Sequence, residues 1–218
     1  MAGTSSIEKL QAPALPVPAD SSVRGYLSDL NNILRLFFNR AANNINLVTG
    51  NDGGRFIDSP NGFFFDNVDQ AIATVNVAQP VRFNQTYLNN AVTIDAATTL
   101  KITATYSGVY SVQFTGQARS STAGAKVLLV WLNLNGTSVG YSTREYTVSP
   151  TVGEALALSW NFNIVILAGQ YIQIMLAADS TDVRLDAVAA TSPHPGIASA
   201  ALAVTFVSIL PDPVPTTP

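Results

Sequence analysis

Cysteine is absent from the 218 residues, and histidine occurs once. The first absence excludes disulfides, thiolate metal sites and cysteine nucleophiles, and it leaves the redox compartment open. The second leaves zinc a single imidazole, His194, held between Pro193 and Pro195 in what reads as a rigid loop. Charge is scarce as well: 11% of residues are charged against 47% hydrophobic. The surface must therefore carry few charges or lie largely against other chains. A formal net charge of −3 offers no electrostatic footprint for nucleic acid. Residues 1–9 hold no apolar signal core, and no uninterrupted apolar run reaches membrane-spanning length. The expectation is a soluble protein made in a cytoplasm, with no nucleic-acid partner and no membrane insertion.

The motifs of catalysis are missing too. There is no G-x-S-x-G elbow to accompany His194 and no phosphate cradle of the G-x-x-x-x-G-K-[ST] or G-x-G-x-x-G kind. The chain has 14 acidic residues, but no pair is marked by its setting as the facing carboxylates of a glycosidase. Asp66 and Asp69 lack calcium-loop spacing and read as a surface turn. Asn84-Gln85-Thr86 and Asn135-Gly136-Thr137 match the glycosylation pattern, but without a secretory signal they read as chance matches. The chain therefore reads as a non-enzyme with no catalytic residue, cofactor or metal.

What is present is organised by two periods. Between Ser22 and Val48, the residues Leu27, Leu30, Leu34, Phe37, Ala41, Asn44 and Val48 recur at alternating steps of three and four. That is the a/d stripe of one helix, with Ile33, Phe38 and Ile45 widening it. Ser21 or Ser22 can cap its start and Gly50 can end it. So short a helix is marginal in water alone, and it packs either on its copies or on its own β domain. Asn44 falls at a core-facing position, where a lone Asn often fixes register.

Further on, Gly108-Val109-Tyr110-Ser111-Val112-Gln113-Phe114 alternates with period two, so Tyr110, Val112 and Phe114 share one face. Gly108 reads as a turn that lets the chain swing from the preceding strand. Short strands with turn residues between them continue to Leu210, as in an all-β sandwich. Residues 127–132, which include Leu128, Val130, Trp131 and Leu132, are apolar on both faces. So are most of residues 171–178, which include Tyr171, Ile172 and Ile174. A strand wet on neither face needs a core on one side and a partner on the other. Tyr110, Phe114, Phe206 and these seven are the expected core and partner-facing residues.

Five segments follow: an extended, proline-bearing arm (residues 1–21), an amphipathic helix (22–49), an aromatic-rich connector (50–73), the sandwich (74–210) and a proline-rich tail (211–218). In the connector, Phe56-Ile57 and Phe63-Phe64-Phe65 read as a plug under the core. In the sandwich, Arg184 is placed to pair with the acids of residues 179–186, an exposed contact of about 0–1 kcal/mol.

Several short motifs resemble the complement globular-head and tumour-necrosis-factor family: Arg82-Phe83-Asn84, the strand from Gly108 to Phe114, Val130-Trp131-Leu132 running into the Asn135-Gly136 turn, and Leu167-Ala168-Gly169-Gln170 as a strand corner. Gln170 stands where that family usually has Asp. The similarity spans roughly residues 75 to 210. It implies a mainly β, antiparallel jelly-roll sandwich of about ten strands that assembles as a homotrimer and works as a binding or structural head. Residues 35–40 (Arg-Leu-Phe-Phe-Asn-Arg) through Asp69-Gln70-Ala71 also look like small jelly-roll proteins of tailed-bacteriophage virions. That implies a protein synthesised in the host cytoplasm and displayed on the virion. The leading expectation is a trimeric capsid decoration (cement or head-fibre) protein, held by its arm and helix to other virion proteins such as the major capsid protein. The alternative is a tail-fibre, receptor-binding head whose partner is a host cell-surface glycan. A polysaccharide depolymerase is a third reading and requires an acidic groove.

Overall fold

The computed structural model describes residues 23–49 and 59–210. The chain divides into two compact units, Met1–Asp58 and Ser59–Pro218, each considered by itself. The expected arm, tail, helix cap at residues 21–22 and helix stop at Gly50 lie outside the described residues, as do Phe56 and Ile57.

In the first unit, α1 (Val23–Thr49) is a continuous helix of 27 residues. Leu30, Leu34, Phe37, Ala41 and Asn44 are half-buried along one stripe, whereas Leu27 is 54% exposed.

In the second unit, fourteen strands occur among the described residues. They begin with β1 (Asn61–Asp66), β2 (Gln70–Ala71), β3 (Gln79–Pro80), β4 (Gln85–Asn90), β5 (Val92–Ile94), β6 (Ile102–Ala104) and β7 (Gly108–Ser120). They continue with β8 (Lys126–Leu134), β9 (Thr137–Ser138), β10 (Arg144–Val148), β11 (Leu156–Ile166), β12 (Tyr171–Ala178), β13 (Val183–Leu185) and β14 (Ala200–Ser208). One sheet runs β4-β1-β14-β7-β11, with β13 and β2 beyond one end of β7. The other runs β5-β6-β12-β8-β10, with β3 on β12 and β9 on β8. All these pairings are antiparallel, and they nest: β1 with β14, β6 with β12, β7 with β11, β8 with β10. The first strand pairs with the last, and β6, β7 and β8 pair in turn with β12, β11 and β10, the nested order of a jelly roll.

The inward faces follow the alternation. Tyr110, Val112 and Phe114 of β7 are at most 1% exposed and pack with Leu128, Val130 and Leu132 of β8 and Ile172, Ile174 and Leu176 of β12. Each such side chain contributes on the order of 1.5–3 kcal/mol by leaving water. The Asn135-Gly136 turn forms as expected between β8 and β9, with φ of 49° and 82° at its two residues, the left-handed pair that a tight hairpin needs. Gln170 serves its corner directly: its amide oxygen accepts from Leu167 N–H at 2.9 Å.

Three expectations change. The sandwich starts at β1, not at residue 74, because the triple phenylalanine is a strand rather than a plug. Phe64 is fully buried, while Phe63 and Phe65 face outward. Three like residues in a row show no alternation, so their faces are not visible in sequence. Gly108 has no positive φ; it opens β7 at a close contact, where a Cβ would stand 2.3 Å from Phe206 Cε2 and 2.8 Å from the Ser208 carbonyl oxygen. The doubly apolar strands are also partly covered by the chain itself. On the outward side of β12, Met175 and Ala177 are only 9% and 7% exposed.

Two predictions follow. Gly108→Ala should destabilise the sandwich by about 1–3 kcal/mol through overpacking, read as a lower urea midpoint; an unchanged midpoint would mean that β7 and β14 can separate freely there. Asp182 accepts from the hydroxyls of Thr122 (2.7 Å) and Ser180 (3.2 Å), and its carboxyl is held below the usual range mainly by the Thr122 bond. A depressed carboxyl stabilises the fold above its unfolded pKa and loses that contribution as pH falls through the folded value. Thr122→Val should raise the Asp182 titration midpoint toward the ordinary value, measured by carboxyl NMR.

Candidate binding surfaces

The Arg82-Phe83-Asn84 motif works at one end of the sandwich. Phe83 enters the core at 1% exposure. Arg82 Nε donates to Asp66 Oδ2 at 2.6 Å, and the Asp66 side chain is fully buried. Asp66 is therefore a paired strand end, not a surface turn residue. Gln70 brackets the same backbone: Arg82 N–H donates to its Oε1 (2.8 Å), and its Nε2 donates to the Arg82 carbonyl (3.0 Å). Asn84 Nδ2 donates to Asn67 Oδ1 at 2.8 Å. Ser199 ties β14 in, with its hydroxyl donating to the Val68 carbonyl at 2.8 Å.

A second ionic cluster lies alongside. Arg184 reaches Asp186 Oδ1 at 2.7 Å and Asp69 Oδ2 at 3.3 Å, while Arg119 Nε lies 2.9 Å from Asp186 Oδ2. Arg184 does pair with an acid of its own segment, but the Asp186 side chain is only 6% exposed. The pair is thus partly desolvated rather than the exposed contact expected. Asp69 Oδ1 also accepts from Ala187 N–H at 2.8 Å.

Between these clusters opens a groove of about 680 Å³, within the size range of small-ligand sites. Phe63 and Phe65 of β1 line one side, and residues 187–190 and 196–198 line the other, with Val68, Asn67 and Asp69 at one end. The opposing wall is a short hairpin, with Val188 bridged to Ile197 and Thr191 to His194. Tyr87 of β4, 75% exposed, stands edge-on to Phe63 with ring centroids 6.0 Å apart. Asp69 is the only ionisable lining residue and is held by Arg184, so the groove presents aromatic and aliphatic walls without a free charge. His194 is exposed on the hairpin, its Nδ1 2.9 Å from the Pro195 carbonyl oxygen. Among the described residues, no three His, Asp or Glu converge as metal ligands, and no helix is long and apolar enough to cross a membrane.

The outward face of β11-β7-β14 is the other unusual surface. Its residues are Val109, Ser111, Gln113 and Thr115 on β7; alternate positions 157–165 on β11; and Ala201, Ala203 and Thr205 on β14. None of these is ionisable; Gln117 continues the row, and the first charge on it is Arg119 at the far end of β7, ion-paired with Asp186.

The expected core and partner-facing residues separate into two groups. Tyr110, Phe114, Leu128, Val130, Leu132, Ile172 and Ile174 are in the chain's own core and cannot touch a partner. Trp131, Tyr171 and Phe206 are half-buried. Trp131 is outward on β8, and its indole N–H lies 3.1 Å from Asn133 Oδ1 and 3.2 Å from Ser138 Oγ. Sequence reasoning missed the groove walls and the roles of Asp66, Asp69 and Asp186. The Arg82-Phe83-Asn84 motif, the triple phenylalanine and the Arg184 pairing each pointed to that region, but not to a groove.

Arg82→Ala should cost about 2 kcal/mol or more, because it strands a buried carboxylate. Asp66→Asn in the same background should recover part of that loss. Urea unfolding of the single and double variants measures it, and independent, additive losses would refute the pairing.

No protein-family model matches the chain, and no curated protein matches it. Among solved structures, it is similar to the globular domain of a zebrafish complement 1qA protein, at 18% sequence identity and a TM-score of 0.45, over 69% of this chain and 98% of that one.

Proposed function

We propose that the chain is a non-enzymatic structural head that works as a homotrimer on the surface of a tailed-bacteriophage virion. In this reading it is a capsid decoration (cement or head-fibre) protein, held to virion proteins such as the major capsid protein by its N-terminal arm and helix. The observation that carries the assembly is the outward face of β11-β7-β14, which is free of charge from Val109 to Gln117 of β7 and across β11 and β14. A solvated sheet face normally intersperses Lys, Arg, Asp and Glu, whereas the centre of a protein–protein interface is depleted of them. Placement on a virion is supported by the resemblance of residues 35–71, and attachment through the arm by its prolines, which deny it a core of its own. Three arms on one trimer multiply weak individual affinities.

The second reading, a receptor-binding head, is favoured by the groove. Aromatic walls beside an uncharged opening suit the apolar face of a neutral sugar.

Sedimentation at micromolar concentration should give three copies. Asn161→Asp, an exposed change on the outward face of β11, should leave the sandwich folded and weaken assembly at least tenfold. A native protein that sediments as a monomer would remove the trimeric reading. Deleting residues 1–21 should leave the trimer but abolish occupancy on particles that lack the protein; full occupancy would move the anchor elsewhere. Glycan-array binding that is lost in Phe63→Ala, without occupancy of particles, would favour the receptor reading.

A further inference from the structure

We infer that α1 is one member of a parallel three-helix bundle, and that the surface it offers to the two other copies is a broad apolar arc rather than a single seam. The inference rests on the trimeric reading above and adds to it where the helices go. The spacing of Leu27, Leu30, Leu34, Phe37, Ala41 and Asn44 is a strict three-four alternation. That spacing sets one stripe of side chains along the helix, as in the seam of helices wound on one another.

The arc is wider than this stripe. At 3.6 residues per turn, the positions from Ile33 across the stripe to Phe38 span about 140°. Within it, Leu30, Leu34, Phe37 and Ala41 are half-buried, whereas Leu27, Phe38 and Ile45 are 54%, 63% and 60% exposed. In a two-stranded coil the flanking positions are rim. In a three-stranded one each helix has two neighbours, so both flanks meet a partner. In a parallel bundle a residue on one flank faces the opposite-flank residue five positions on in the next copy. Ile33 then meets Phe38, and the aliphatic stem of Arg40 meets Ile45. The more exposed flank is thus apolar and is answered mainly by apolar residues. Asp29 and Arg35 fall outside the arc. Asn44, at a stripe position, supplies the polar layer that fixes register and strand number in such bundles.

The absence of cysteine from the whole chain makes the test clean. Ala41→Cys, a small and half-buried position on the stripe, and Asn43→Cys, exposed on the opposite side, would each be placed in the full-length protein. Both would be oxidised, or treated with a short bis-maleimide, and run on denaturing gels after sedimentation. The expected result is a trimer in both cases, with covalent dimers formed by Ala41→Cys and not by Asn43→Cys. A trimer that cross-links at neither position, or equally at both, would overturn the bundle while leaving the trimeric head intact. A monomer would overturn both.

Discussion

Strand β7 is bonded along both edges, by β11 from Gly108 to Ala118 and by β14 from Val109 to Gly116, with β13 extending the second edge to Ser120. Its register is therefore set twice. A one-residue slip on either side would turn Tyr110, Val112 and Phe114 outward and bring Ser111, Gln113 and Thr115 into the core. The contact that pins this register is at its first residue. With no Cβ at Gly108, the strand lies close against Phe206 and the Ser208 carbonyl, and Phe206 in turn meets Tyr110 edge-on at 5.5 Å. The core on one side and the plain polar face on the other both follow from that placement.

The polar residues at the groove end close the sandwich. Asp66 finishes β1 in one sheet, while Arg82 follows β3, which is bonded to the other. The buried carboxylate, its arginine and the Gln70 bracket thus cross between sheets where the inward faces run out of apolar side chains. Such a pair adds little net stability over an apolar replacement, but it is costly to break and so fixes one arrangement. Because the backbone of residues 66–70 is held this tightly, Asn67, Val68 and Asp69 are held with it, and the groove has a firm end.

Much of the fold was legible in the sequence because the physics behind it is local. Period two marks β7 and the strands after it, the Asn135-Gly136 pair marks its hairpin, and the three-four spacing marks α1. What was not legible depends on distant partners. The reason for Gly108 is a ring and a carbonyl some hundred residues on. Phe63, Phe64 and Phe65 are chemically alike, and only pairing with β4 and β14 decides that the middle one is core and its neighbours are groove wall. Asp66 looks like an ordinary loop acid until Arg82 arrives from the segment after β3, and the burial of Asp186 shows only once Arg119 of β7 joins Arg184 beside it. The expected partner-facing set went too deep for the same reason: an apolar strand shows that both faces are dry, not which one its own chain covers.

The groove and the charge-free face are not independent surfaces. Ala201 belongs to both: it lines the groove and begins the outward row of β14 beside Thr115 of β7. Any copy of the chain seated on β11-β7-β14 therefore comes to the groove's edge, and a molecule in the groove lies next to that contact. Phe63 and Phe65 extend the uncharged surface past β14 to Tyr87 on β4, so apolar character increases away from β11 while ionic character begins at Arg119 and Arg184, at the end of β7 and on β13. A partner on this side meets a gradient from small polar residues to aromatic rings. The small residues suit close approach of another sheet, and the rings suit a ligand with one flat apolar side.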